Sequence, residues 1–141
     1  MLHIRLVVVG SVKERFYVDA IAEYTKRLSK YCKYEIFEIK ESTVKKETEQ
    51  IAERIKGYSI LCDIGGGLAS SEEMAGKFEK LSQTTSVITF IIGGSDGVGE
   101  LMVDERVSFG RITFPHQLFR VVLSEQIYRA FTIIKGEKYH K

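Results

Sequence analysis

The spacing of hydrophobic positions changes repeatedly along this chain, and each change marks an element. Residues His3–Val9 form a short β-branched run closed by Gly10-Ser11. Over Phe16–Tyr31 the apolar positions Tyr17, Ala20, Ile21, Tyr24, Leu28 and Tyr31 fall at helical spacing, with Asp19, Glu23, Lys26, Arg27 and Lys30 on the other face. Tyr34–Lys40, YEIFEIK, alternates with period two and predicts a half-exposed strand. Thr43–Lys56 predicts a highly charged helix with Val44, Ile51 and Ile55 as its stripe. Ser59–Ile64 reads as a buried strand ended by Gly65-Gly66-Gly67. Ser70 or Ser71 then caps a helix with Glu72 and Glu73 in its first turn. Ser86–Ile92 is a second buried strand, broken by Gly93-Gly94-Ser95-Asp96-Gly97. A short helix around Glu100–Glu105 and a strand near Val107–Phe109 follow. Pro115 opens a last helix that runs to about Lys135 and stops at Gly136.

Strands alternating with helices predict one α/β domain over residues 1–141, a mostly parallel sheet of five to six strands with helices on both faces. Ligands of such sheets sit beyond the carboxyl ends of the strands. The segments after the third, fourth and fifth strands, GGGLASSE, GGSDGVGE and FGRITFPH, should share that edge, so the site is expected in the C-terminal half. GxGxxG is absent after the first strand and GxxxxGK[ST] is absent throughout, which disfavours a dinucleotide oxidoreductase or a P-loop enzyme. The glycines are either tight turns or loops whose backbone N–H groups face a ligand. Neither glycine cluster contains a lysine, so an adenine–ribose ligand suits them better than a triphosphate.

Composition narrows the class. With 44% hydrophobic and 28% charged residues, the chain is neither disordered nor fibrous. A net charge of +2 does not by itself demand nucleic acid, and Lys13, Arg15, Lys26, Lys45 and Lys46 are interleaved with acids. Cys32 and Cys62 lack CxxC spacing and a nearby His pair, so they are expected as reduced thiols with no metal. The N-terminal apolar run is too short for a signal peptide, and no run approaches the roughly 20 residues of a membrane span. A cytoplasmic protein without membrane contact is expected.

The last helix is apolar around nearly its whole circumference, from Leu118, Val121 and Val122 through Leu123 and Ile127 to Phe131 and Ile134. Such a helix must be covered on every side. Either it is wedged within the chain or a second copy covers it, as in a homodimer. Arg120, Glu125 and Arg129 lie within it; the latter two are either an i,i+4 ion pair or a charged group at the edge of a dimer cleft. His116 in the first turn reads as a structural hydrogen-bonder or a site residue. The tail is short and polar. Within it Tyr139 can stack on a base, His140 can exchange a proton and Lys141 can meet a phosphate. Gly136 should release residues 137–141 as a flexible strip reaching at most roughly 17 Å.

The segments VVVGSVKERF, EYTKRLSKY, IIGGSDGVG and above all ITFPHQLFRVVLSEQIYRAFTIIKGEKYHK resemble the ribosomal large subunit RNA methyltransferase H family, over essentially the whole chain. That family belongs to the SPOUT methyltransferases. The resemblance implies an α/β fold with a C-terminal trefoil knot, S-adenosylmethionine as cofactor, and a homodimer. It further implies methylation at N3 of a pseudouridine in a 23S rRNA stem-loop on assembled ribosomes. Carried over by position, the cofactor residues fall on Cys62, Gly93, Phe109, Gly110, Arg111, Ile112, Thr113 and Phe114. Cys62 stands where an aliphatic residue is usual, and FGRITF replaces a more serine-rich loop. His140 is then the candidate base, with Tyr139, Arg129 and Glu125 around it, and Lys141, Arg120 and His116 toward RNA. A non-catalytic ribosome-binding factor on the same fold is the alternative, separable by cofactor affinity.

Overall fold

The computed structural model describes all residues 1–141. Its strands are β1 (Leu2–Val9), β2 (Cys32–Ile39), β3 (Tyr58–Leu68), β4 (Val87–Ile92) and β5 (Glu105–Ser108). They form one sheet of order β2-β1-β4-β3-β5 in which every pair is parallel. The helices are α1 (Arg15–Leu28), α2 (Val44–Arg54), α3 (Ser71–Leu81) and α4 (His116–Ile134).

Alternation along β1 sorts the core into two layers. Ile4, Leu6 and Val8 face a large cluster with Leu28 of α1, Phe78 of α3 and Leu123, Ile127 and Phe131 of α4. Val7 and Val9 face a smaller one with Ile39, Leu61, Ile91 and Ile51 of α2. Both faces are therefore buried, which explains why β1 and β4 read as continuous apolar runs.

Local chemistry sets the helix starts. Thr43 Oγ1 accepts the Lys46 N–H, and Ser70, not Ser71, caps α3 in a reciprocal box with Glu73. Gly136, at φ +69°, turns the chain out of α4.

Three expectations change. Glu100–Glu105 is not a helix. Val98, Leu101 and Val103 instead lie along the second core as an irregular strap. Gly99 N–H is tied to Thr48 Oγ1 at 2.8 Å, and Asp104 Oδ2 accepts from the Ser59 N–H at 2.9 Å. These contacts outweigh the weak helical propensity of a short, glycine-flanked segment. The glycines at 65–67 do not end β3, which slips register between Cys62 and Gly67 and continues to Leu68. Gly66 permits this, because a Cβ there would come within 2.7 Å of the Arg106 backbone. Finally, α1 stops at Leu28 rather than running to Tyr31, and Cys32 opens β2, 1% exposed in the core.

Candidate active site

The carboxyl ends of β3, β4 and β5 surround a cavity of about 410 Å³, within the usual range for small-ligand sites. Cys62, Gly93, Phe109, Gly110, Ile112, Thr113 and Phe114 all line it, and so does His116. Arg111 does not; it is exposed in the same loop. The sequence reading missed Asp63, Ile64, Val98, Arg106 and Phe119, which also line it. Only the bulge in β3, invisible from periodicity, brings Asp63 and Ile64 to the rim.

One wall is aromatic. Phe119 packs edge-on to Phe109 at 5.1 Å and tilts against Phe114 at 5.9 Å. Gly110 takes φ +113° and a Cβ there would meet nothing within 4 Å. Its backbone is thus open to a ligand where an L side chain would be strained. Gly93 is different: a Cβ would meet Val98 Cγ1 at 2.8 Å, so a side chain there collides with the strap. Burial pushes the Cys62 thiol up to about 12, so at neutral pH it lines the cavity as a small neutral group. Apolar walls for a purine, open backbone for its hydrogen bonds and no basic cluster fit an adenosine-based ligand.

A second group of side chains gathers at the far end of α4. Glu125 accepts from Arg129 NH2 at 2.7 Å, from Gln126 at 2.8 Å and from the Tyr139 hydroxyl at 2.6 Å. Tyr139 also packs edge-on to Tyr128 at 4.7 Å, with the Arg129 guanidinium 4.9 Å from its ring. Burial and the bond to Glu125 raise its phenol pKa, so it remains a donor. Arg129 NH1 lies 3.0 Å from His140 Nδ1, and His140 Nε2 lies 3.5 Å from Glu72. A guanidinium only donates, so Nδ1 accepts and the neutral ring carries its proton on Nε2, toward Glu72.

The tail is therefore not the flexible strip expected. Lys138–His140 form a 3₁₀ turn, and the Tyr31 hydroxyl donates to Glu137 at 2.7 Å. This partner of Glu137 is not visible in the sequence, because Tyr31 is 106 positions away. Lys141 is exposed.

Arg120 is not placed to meet RNA. It is 5% exposed, and its guanidinium donates to Glu38 at 2.6 Å and to the Gly10 carbonyl at 3.1 Å. It ties α4 to the ends of β1 and β2. Ten residues separate Phe119 at the cavity from Arg129 at the tail, about 15 Å along a helix. Within one chain, cavity and tail cluster are apart.

Comparison with known proteins gives a consistent picture. A family model described as "Predicted SPOUT methyltransferase" matches residues 2–140. Ribosomal RNA large subunit methyltransferase H of Caldicellulosiruptor saccharolyticus is 44% identical, over 98% of this chain and 99% of that protein. The proteins of the same name from Limosilactobacillus reuteri and Listeria monocytogenes are 45% and 43% identical, over 99% of this chain and 100% of theirs. The match takes in every residue that lines the cavity, and on its whole length this chain belongs to the SPOUT methyltransferase family.

Proposed function

We propose that this chain is a cytoplasmic homodimer that methylates N3 of a pseudouridine in a 23S rRNA stem-loop on assembled ribosomes. S-adenosylmethionine is the methyl donor. The observation that carries this reading is the cavity itself: seven of the eight residues expected to hold the cofactor line one space. The names of the relatives supply the RNA substrate. The reading includes a trefoil knot in the segment that leaves β5 and returns through 109–115 to α4.

When bound, the cofactor would supply a sulfonium methyl group to an in-line N3 nucleophile, leaving as the neutral thioether, chemistry that requires no metal. The chain must hold that geometry and accept the N3 proton. The open backbone at Gly110 and the Phe109–Phe119 wall orient the adenosine. His140 takes the proton once its ring leaves Arg129, which otherwise occupies the Nδ1 lone pair. Glu125 is less suited, because its oxygens are committed to Arg129, Gln126 and Tyr139. Glu125 and Arg129 instead hold the tail, and the released guanidinium can face the developing imide anion. Tyr139 and Lys141 meet the nucleotide, and His116 borders the cavity toward RNA.

About 15 Å of α4 lies between Phe119 at the cavity and Arg129 at the tail cluster, and in this reading the tail serves the partner's cavity. Leu118, Val121 and Val122 are half-buried in the single chain and give α4 an apolar stripe for that contact. Deletion of 139–141 tests the reading. Fold and cofactor affinity should persist, while methylation of ribosomes should fall at least about a hundredfold. Normal methylation by the truncated protein would remove the tail from the mechanism.

A further inference from the structure

The ionisable side chains lining the cavity, apart from the Cys62 thiol, are Asp63, Arg106 and His116. Arg106 NH1 donates to Asp63 Oδ2 at 3.1 Å, and the two side chains are 48% and 38% exposed. An ion pair this exposed contributes little to folding. The chain nevertheless distorts β3 to present it. Leu61 pairs with Arg106 and Cys62 with Val107; then 63–66 bulge out before Gly67 returns to Val107. Bulges of this kind re-aim side chains beside active sites. Gly65 N–H donates to Asp63 Oδ1 at 3.2 Å and steadies the carboxylate at the rim. On Arg106 only NH1 is engaged, so Nε and NH2 remain available as donors.

We propose that the Asp63–Arg106 pair recognises the amino-acid end of the cofactor, Arg106 taking its α-carboxylate and Asp63 its α-ammonium. This rests on the reading of the cavity as an S-adenosylmethionine site and adds to it what selects that end. The apolar walls and glycine backbones suit adenosine, but they carry no charges to match a zwitterion. An α-amino acid carries one anion and one cation a few ångströms apart. A guanidinium beside a carboxylate is the matching arrangement, and the fork of Arg favours a carboxylate. Opening the pair exchanges one partly hydrated ion pair for two charge-matched contacts. An uncharged nucleoside end would leave the pair closed.

The test is calorimetric and needs no turnover. S-adenosylhomocysteine and methylthioadenosine share the adenosine thioether, and only the first carries the amino-acid end. The wild-type dimer should bind S-adenosylhomocysteine at least about tenfold more tightly. Arg106→Gln and Asp63→Asn should each lose about tenfold or more for that ligand and less than about twofold for methylthioadenosine. Arg106→Lys should recover part of the loss, because it restores the charge without the fork. Methylthioadenosine binding by the variants also reports that the cavity is intact. Equal losses for both ligands would make the pair a structural part of the wall and overturn the proposal. So would variants that bind S-adenosylhomocysteine like the wild type, or a wild type that does not distinguish the two. A wild type that binds neither nucleoside overturns the cofactor reading itself, and this inference with it.

Discussion

Arg120→Ala separates a structural role for this arginine from an RNA-contacting one. The side chain lies under α4 with 5% exposure and bonds to Glu38 and to the Gly10 carbonyl. Its loss removes a charge-assisted bond, but Glu38 is 45% exposed and rehydrates, so that contact counts for about 1 kcal/mol. The bond to Gly10 is worth about 1 kcal/mol net. Packing of the buried aliphatic stem adds roughly another. Against these stands the Arg120 Nε, buried without a partner in the native fold; removing it returns about 1 kcal/mol. The net expectation is a destabilisation of about 2 kcal/mol. For a domain of this size that lowers the unfolding midpoint by roughly 6 °C. Thermal unfolding followed by circular dichroism measures it, and ribosome methylation at a temperature where the variant is folded should remain near normal. An unchanged midpoint together with lost methylation would refute the reasoning and return Arg120 to the RNA surface.

Burial pushes the Cys32 thiol up to about 12, above its unfolded value near 8.5. The folded state therefore holds this proton where the unfolded state has lost it. The stabilisation is complete below pH about 8.5 and is lost as pH rises toward 12, at up to about 1.4 kcal/mol per pH unit. Cys32→Ala should flatten that alkaline slope in denaturant titrations between pH 8 and 10; an identical slope would place the titration elsewhere. Val122→Glu puts a carboxylate on the half-buried stripe of α4. Sedimentation should show a wild-type dimer and a folded, cofactor-binding variant that is monomeric and inactive on ribosomes. A wild type that is monomeric at micromolar concentration refutes the dimer. Leu123 cannot serve this test, because it is fully buried within the single chain.

The elements were legible where an apolar run lay between clear breakers. SVITFII ends at a glycine cluster, and the apolar run of α4 lies between Pro115 and Gly136. The edge of the sheet that holds the cavity followed from direction alone, since every strand proved parallel. What escaped depended on partners far apart in sequence. The strap at 98–103 is held by Thr48 and Ser59, some 45 to 51 positions away. The β3 bulge depends on close passage of Gly66 over Arg106, which a glycine run announces only as flexibility. Arg120 looked like a charge seeking a surface, because its partners Glu38 and Gly10 are 82 and 110 positions distant. The docking of the tail onto Glu125, Arg129 and Tyr31 was likewise not legible, because it joins residues up to 106 positions apart.

The separation of cavity and tail along α4 constrains how two copies can meet. A two-fold axis parallel to the helices would set cavity beside cavity and tail beside tail. Only an axis across the helices, with the two copies of α4 antiparallel, brings unlike ends together. The residues on the outward stripe follow that requirement. Leu118 and Val122 lie toward the cavity end, Glu125 and Arg129 toward the tail, at steps of three and four residues on one side of the helix. In an antiparallel pair the apolar half of one stripe meets the polar, tail-bearing half of the other. In the proposed dimer each cavity would then receive a foreign Tyr139 and His140, and the symmetry would yield two equivalent composite sites. If His140 is the base, the Arg129–His140 bond seen in the single chain is the contact that substrate would exchange. If the proposed division of labour holds, the dimer is a condition of catalysis, because the donor pocket of one copy would be completed by the tail of the other.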